Sequence, residues 1–144
     1  MKKSIRNIHY LVVHCSATPE GRDHTAKDIA LWHKQRGFNE IGYNYIVRLD
    51  GSVELGRDVN KIPAHVTNHN KDSIGICYIG GIDKNTLQPK DTRTVAQKES
   101  LKKLLKELKA LYPNAEILGH RDFPGVAKAC PCFNAKDEYK NISK

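Results

Sequence analysis

The stretch NIHYLVVHCSATPEGRDH, residues 7–24, decides how the rest of the chain is read. Its apolar run, rich in β-branched and aromatic side chains and bounded by polar ones, predicts a short buried strand over Asn7–Val13. His14 stands at the end of that strand, and the turn-forming residues after it carry the chain away. A second stretch repeats the arrangement: EILGH, residues 116–120, is a short strand that delivers His120 to its end. Two strands far apart in the chain thus each finish in a histidine.

Between them, Thr25 with Asp28 three residues later marks a helix start, and Ala26, Ile29, Trp32 and His33 recur at helical spacing up to a cap at Gly37. YNYIVRLDGSVELGR then places two strand-like runs around Asp50-Gly51, which predicts a hairpin with a two-residue turn. Residues 57–72 are polar and read as a long surface loop, a kind of segment that often carries function. SIGICYIGG follows as a buried strand, with Ile74, Ile76 and Tyr78 on one face and Cys77 on the other. Thr94 and Gln97 form a capping box ahead of an apolar stripe through Val95, Leu101, Leu104, Leu105, Leu108 and Leu111 to Tyr112, and Pro113 stops that helix. Beyond His120 the chain reads as loop and polar tail.

The composition bounds the answer. With 144 residues the chain has room for one domain, and 39% hydrophobic with 28% charged residues is the balance of a folding sequence. No window approaches the roughly 20 apolar residues of a bilayer-spanning helix. The apolar run Tyr10–Val13 stops at His14, short of the roughly 7–15 residues of a secretory core, so no cleavable signal peptide and synthesis in the cytoplasm are expected. A net charge of +8 favours an anionic partner, nucleic acid or cell wall, although a solvated basic face is an equally natural reading of the helix and tail lysines. No recognised nucleic-acid motif is present and the aromatic content of 7% is ordinary, so no nucleic-acid partner is expected. Four cysteines, at 15, 77, 130 and 132, make no dense disulfide framework and suit reduced thiols or a metal better.

Cys130 lies ten residues beyond His120. Two imidazoles and a thiolate suit zinc by ligand type, and three protein ligands leave a fourth tetrahedral position for water, as in catalytic sites. Spacing alone carries this weakly, because none of the tight zinc spacings is present and a strand-end histidine is commonly just a polar residue at a surface.

The segments VVHCSAT (12–18), WHKQRGFNEIGYNYIVRLDGSVELGRD (32–58), DSIGICYIGG (72–81) and GHRDFPGVAKACPCF (119–133) together resemble the zinc-dependent N-acetylmuramoyl-L-alanine amidases of the peptidoglycan-recognition-protein class, above all the small phage lysozyme-type amidases. They occur in family order and cover about residues 8–133. The resemblance implies an α/β fold, one domain over 1–144 with a central mixed sheet of about five strands flanked by helices. It implies hydrolysis of the amide between the lactyl group of muramic acid and L-alanine in peptidoglycan, hence bacteriolytic, endolysin-type cell-wall degradation by a phage-encoded monomer. Its metal ligands fall on His14, His120 and Cys130, holding one Zn2+ per chain, and its catalytic tyrosine and lysine on Tyr43 and Lys128.

Each assignment has a plainer counterpart. Tyr43 could cap a hairpin edge and Lys128 could be a solvated loop charge. His65 and His69 could line a substrate groove or simply sit at a surface. Asp122 could accept a hydrogen bond from a ligand imidazole or be an acidic turn residue. Cys15 should point to the strand face opposite His14. Cys132 departs from the family pattern, and the sequence leaves open whether it competes for zinc or pairs with Cys15 or Cys77. The rival function is a non-catalytic peptidoglycan-binding module of the same fold. Cys130, Tyr43 and Lys128 argue for the enzyme, because non-enzymatic relatives typically lack the cysteine ligand.

Overall fold

The computed structural model of the chain describes residues 1–142. The first apolar run forms β1 (Tyr10–Cys15), which starts later and ends later than its composition alone suggests, so His14 lies within the strand. The remaining strands are β2 (Thr18–Pro19), β3 (Tyr45–Val47), β4 (Val53–Leu55), β5 (Ser73–Tyr78), β6 (Gly81–Ile82) and β7 (Glu116–Gly119). Five of them make one mixed sheet in the order β4-β3-β5-β1-β7, parallel except for the β3/β4 hairpin, and β2 and β6 pair separately. β1 is an interior strand between β5 and β7 and is buried on both faces, as a parallel strand flanked by helices must be.

Helix α1 (Ala26–Gln35) opens with the expected capping box, the Thr25 side chain accepting from the Asp28 N–H while Asp28 accepts from the Thr25 N–H. Helix α2 (Val95–Leu111) opens the same way on Thr94 and Gln97. Its apolar stripe lies over one face of the sheet, where Leu101, Leu104, Leu105 and Leu108 pack with Leu11, Val13, Ile74 and Ile76. Each fully buried leucine contributes about 1.5–3 kcal/mol by leaving water. The opposite face carries α1, with Ile29 against Ile46, Cys77 and Ile79, and the apolar cluster of Val12, Val66, Leu118 and Phe123.

Two local expectations are corrected. The hairpin has a three-residue loop, Leu49-Asp50-Gly51, closed by Arg48 N–H donating to the Ser52 carbonyl and Gly51 N–H to the Arg48 carbonyl. The Gly51 φ of +85° belongs to that longer loop and not to a two-residue turn. The segment past residue 133, expected as polar tail, contains α3 (Ala135–Tyr139), whose Ala135 and Tyr139, with Ile142, are buried in the α2-side core. A buried arginine ties α3 down: Arg93 bonds Asp91, Glu138 and the Tyr139 hydroxyl, and its guanidinium carbon lies 3.4 Å from the Phe133 ring centroid.

Candidate functional site

The parallel register Val13↔Gly119 sets His14 of β1 beside the residue that follows β7, which is His120. Their ring centroids are 4.5 Å apart, although 106 residues separate them in sequence. Both lie at the C-terminal edge of the sheet, where α/β folds commonly place their ligands. His120 begins a 3-10 turn, His120–Asp122, in which Asp122 accepts from the Gly119 N–H at 2.8 Å. Asp122 thus caps a turn, and among the described residues no imidazole is bonded to it.

Cys130 is brought back to this edge by its loop. The Arg121 N–H donates to the Cys130 carbonyl, and the Tyr78 hydroxyl donates to the Pro131 carbonyl at 2.6 Å. A Cβ on Gly119 would stand 2.7 Å from Pro131 Cδ, so only glycine lets the loop close this tightly on β7. The result is a cluster of His14, His120 and Cys130 whose ligand atoms all lie within 4.8 Å of one another. The Cys15 N–H donates to Cys130 Sγ at 3.2 Å.

The donor set fits zinc. Bonds of about 2.0–2.1 Å to imidazole nitrogen and about 2.3 Å to thiolate at a tetrahedral angle put N and S about 3.5 Å apart. His14 Nδ1 and Cys130 Sγ are 3.8 Å apart. His14 is 1% exposed, and burial holds its pKa well below 6.5, with the nearby His65, His120 and Lys128 lowering it further. Burial and then Lys128 lower the His120 pKa as well. Both rings are therefore neutral and have a lone pair to give.

Cys132 lies outside the cluster. All four cysteines are free thiols, with Cys15 and Cys132 Sγ atoms 3.9 Å apart on the α2 side of β1, away from His14. The contact with Cys130, ahead of burial, pushes the Cys15 thiol up to about 12, so it is protonated and ill-suited to metal.

Tyr43 stands with its ring centroid 5.0 Å from that of His14. Burial, reinforced by Cys77 and Cys130, raises its pKa well above 10, which keeps the phenol protonated. Lys128 is exposed and lines the same cleft, with His14, His120, Cys130 and Tyr43, a space of about 810 Å3. His65 lines it too, but its Nδ1 lies 2.7 Å from His14 Nε2, and burial lowers its pKa to about 3. His69 packs on Tyr10 and Phe123, centroids 5.4 and 4.9 Å away.

Three supporting residues were missed as parts of the site: Asn44 and Ser73 gave no spacing signal, and His33 was read only as a member of the helical stripe. His33 Nδ1 accepts the Gly42 N–H at 2.8 Å, fixing the backbone next to Tyr43. Asn44 is 1% exposed and bridges strands, donating to the Arg57 carbonyl and accepting from the Gly75 N–H. Ser73 contacts His65 Nε2 at 2.8 Å.

Comparison with known proteins places this cleft in context. Residues 4–133 match the family model described as N-acetylmuramoyl-L-alanine amidase. The endolysin of Klebsiella phage KP32 is 42% identical over 126 residues, covering 88% of this chain and 82% of that protein. The endolysin of Escherichia phage T7 is 39% identical over 126 residues, with the same two coverages, 88% and 82%. Among solved structures, the N-acetylmuramoyl-L-alanine amidase LysC from Clostridium intestinale superposes with a TM-score of 0.75 at 28% identity, covering 92% of this chain and 82% of that one.

Proposed function

The chain belongs to the N-acetylmuramoyl-L-alanine amidase family, and we propose that it works as a zinc-dependent endolysin of the phage type, acting on the bacterial cell wall with one Zn2+ held by His14, His120 and Cys130. As a type 2 amidase it cuts peptidoglycan at the amide between N-acetylmuramoyl and L-alanine. The single observation that carries the metal reading is the convergence of two imidazoles and one cysteine sulfur from three separate segments.

Zinc in such a site supplies a water that ionises near neutral pH and a Lewis acid for the carbonyl. The protein's own residues do the rest. Lys128 brings an ammonium to the cleft, where it stabilises the negative charge that grows on the carbonyl oxygen as the amide is attacked, more in the transition state than in the ground state. Tyr43 holds its proton on Oη, so its phenol can donate a hydrogen bond to a reacting group in the cleft and orient it. His33 and the Gly42 backbone keep that phenol in place.

The test is chemical. Purified protein incubated with peptidoglycan should release new L-alanine amino termini and no new reducing sugar ends. Wall binding without new amino termini, with zinc bound, would make the chain a recognition module and overturn the proposal.

A further inference from the structure

For a neutral His65, whose ring has no carboxylate bonded to it among the described residues, the surrounding hydrogen bonds have only one consistent direction. Ser73 Oγ contacts the His69 carbonyl at 2.7 Å, and a carbonyl only accepts, so the single hydroxyl proton of Ser73 is spent there. The other contact of Ser73 Oγ, to His65 Nε2 at 2.8 Å, therefore requires the imidazole to donate. A neutral His65 with its proton on Nε2 has its lone pair on Nδ1, and Nδ1 faces His14 Nε2 at 2.7 Å. His14 must then donate from Nε2, which leaves its lone pair on Nδ1, the atom that faces Cys130 Sγ at 3.8 Å. One backbone carbonyl thus orders three bonds in series.

We infer that His65 and Ser73 are positioning residues, which hold His14 in the Nε2–H tautomer and so present its Nδ1 to the metal. This rests on the zinc reading above. It gives His65 a different task from contact with substrate. The surroundings are built for a fixed ring: the Asn70 side-chain oxygen accepts from the His65 and Val66 N–H groups at 2.9 and 2.8 Å, pinning the loop. A Cβ on Gly75 of β5 would lie 3.0 Å from His65 Cγ and Nδ1, so a bare glycine is what allows the imidazole to lie against the strand. A ligand imidazole whose other nitrogen donates to a fixed acceptor is better oriented and more basic, and loss of such a partner typically costs about 10–100-fold in metal affinity.

The experiment measures zinc affinity by competition with a chromogenic chelator, together with the 15N shifts of the His14 ring in zinc-free protein. His65→Phe, which keeps the size and removes the acceptor, should weaken zinc binding about 10–100-fold. His65→Asn, whose carbonyl oxygen stands near the place of Nδ1, should recover most of that loss, and Ser73→Ala should weaken binding less than His65→Phe. The zinc-free wild type should show His14 protonated on Nε2. Zinc affinity unchanged in His65→Phe with only KM raised would assign His65 to the substrate and overturn the inference, as would a His14 proton on Nδ1. If His65→Phe does not fold, the wild-type tautomer decides alone. A wild type that takes up no zinc would strike the metal reading itself, and the tautomer read without metal would still decide the relay.

Discussion

The two faces of β1 are held by different forces. Leu11, Val13 and Cys15 face α2 in a dry core of aliphatic side chains, where attraction is non-directional and volume is what matters. On the other face His14 sits among His65, His120 and Tyr43, with ring centroids 4.9, 4.5 and 5.0 Å away and a hydrogen-bond contact to His65, an interaction that depends on direction. One face specifies stability and the other chemistry, so damage to each should have a separate signature.

The sharpest way to break that separation is Cys130→Ser. Turnover on peptidoglycan and bound zinc should both be lost while the circular dichroism of the fold survives, because a catalytic site seldom supplies the folding energy that a structural one does. Lys128→Ala, on the exposed loop, should lower kcat about 10²–10³-fold with the metal retained, the usual cost of removing one donor to a developing oxyanion. Leu105→Ala tests the opposite face: Leu105 of α2 is fully buried against the sheet, so the variant should lose about 2–5 kcal/mol of stability in denaturant titration and keep its turnover while folded.

The smallest expected effect concerns pH. The Arg93 hydrogen bond holds the Glu138 carboxyl below its ordinary value of 4.5. A carboxyl depressed in the folded state contributes stability that is complete above about pH 4.5 and fades as pH falls through the lowered value. Thermal midpoints of the wild type should therefore drop on acidification more than those of Glu138→Gln, with zinc chemistry uninvolved.

The dry face was legible from the sequence because periodicity is a long signal: the capping box of α2, its stripe from Leu101 to Leu108 and the alternation in β5 stand where the pattern puts them, while Val95 in the first turn of the helix, expected on the stripe, is exposed. The two histidines were legible as strand-end residues, but their meeting is a matter of parallel register, which spacing does not encode. Cys130 was legible by type, and its placement depends on Tyr78 and Gly119, two residues that looked like ordinary strand members. Asn44 and Ser73 act singly by satisfying one or two polar groups, and a single residue has no period; the helical spacing of His33 showed that it is buried but not that its Nδ1 accepts from Gly42. The α3 segment did carry a signal, Ala135, Tyr139 and Ile142 at helical steps, hidden among polar neighbours in a helix of five residues.

Zinc K-edge X-ray absorption on the purified protein tests the central claim most directly. Two nitrogens at about 2.0–2.1 Å, one sulfur at about 2.3 Å and one further oxygen are predicted, the shell of two histidines, one cysteine and a place for solvent. A shell with two sulfurs, with none, or with four protein ligands and no oxygen would contradict it.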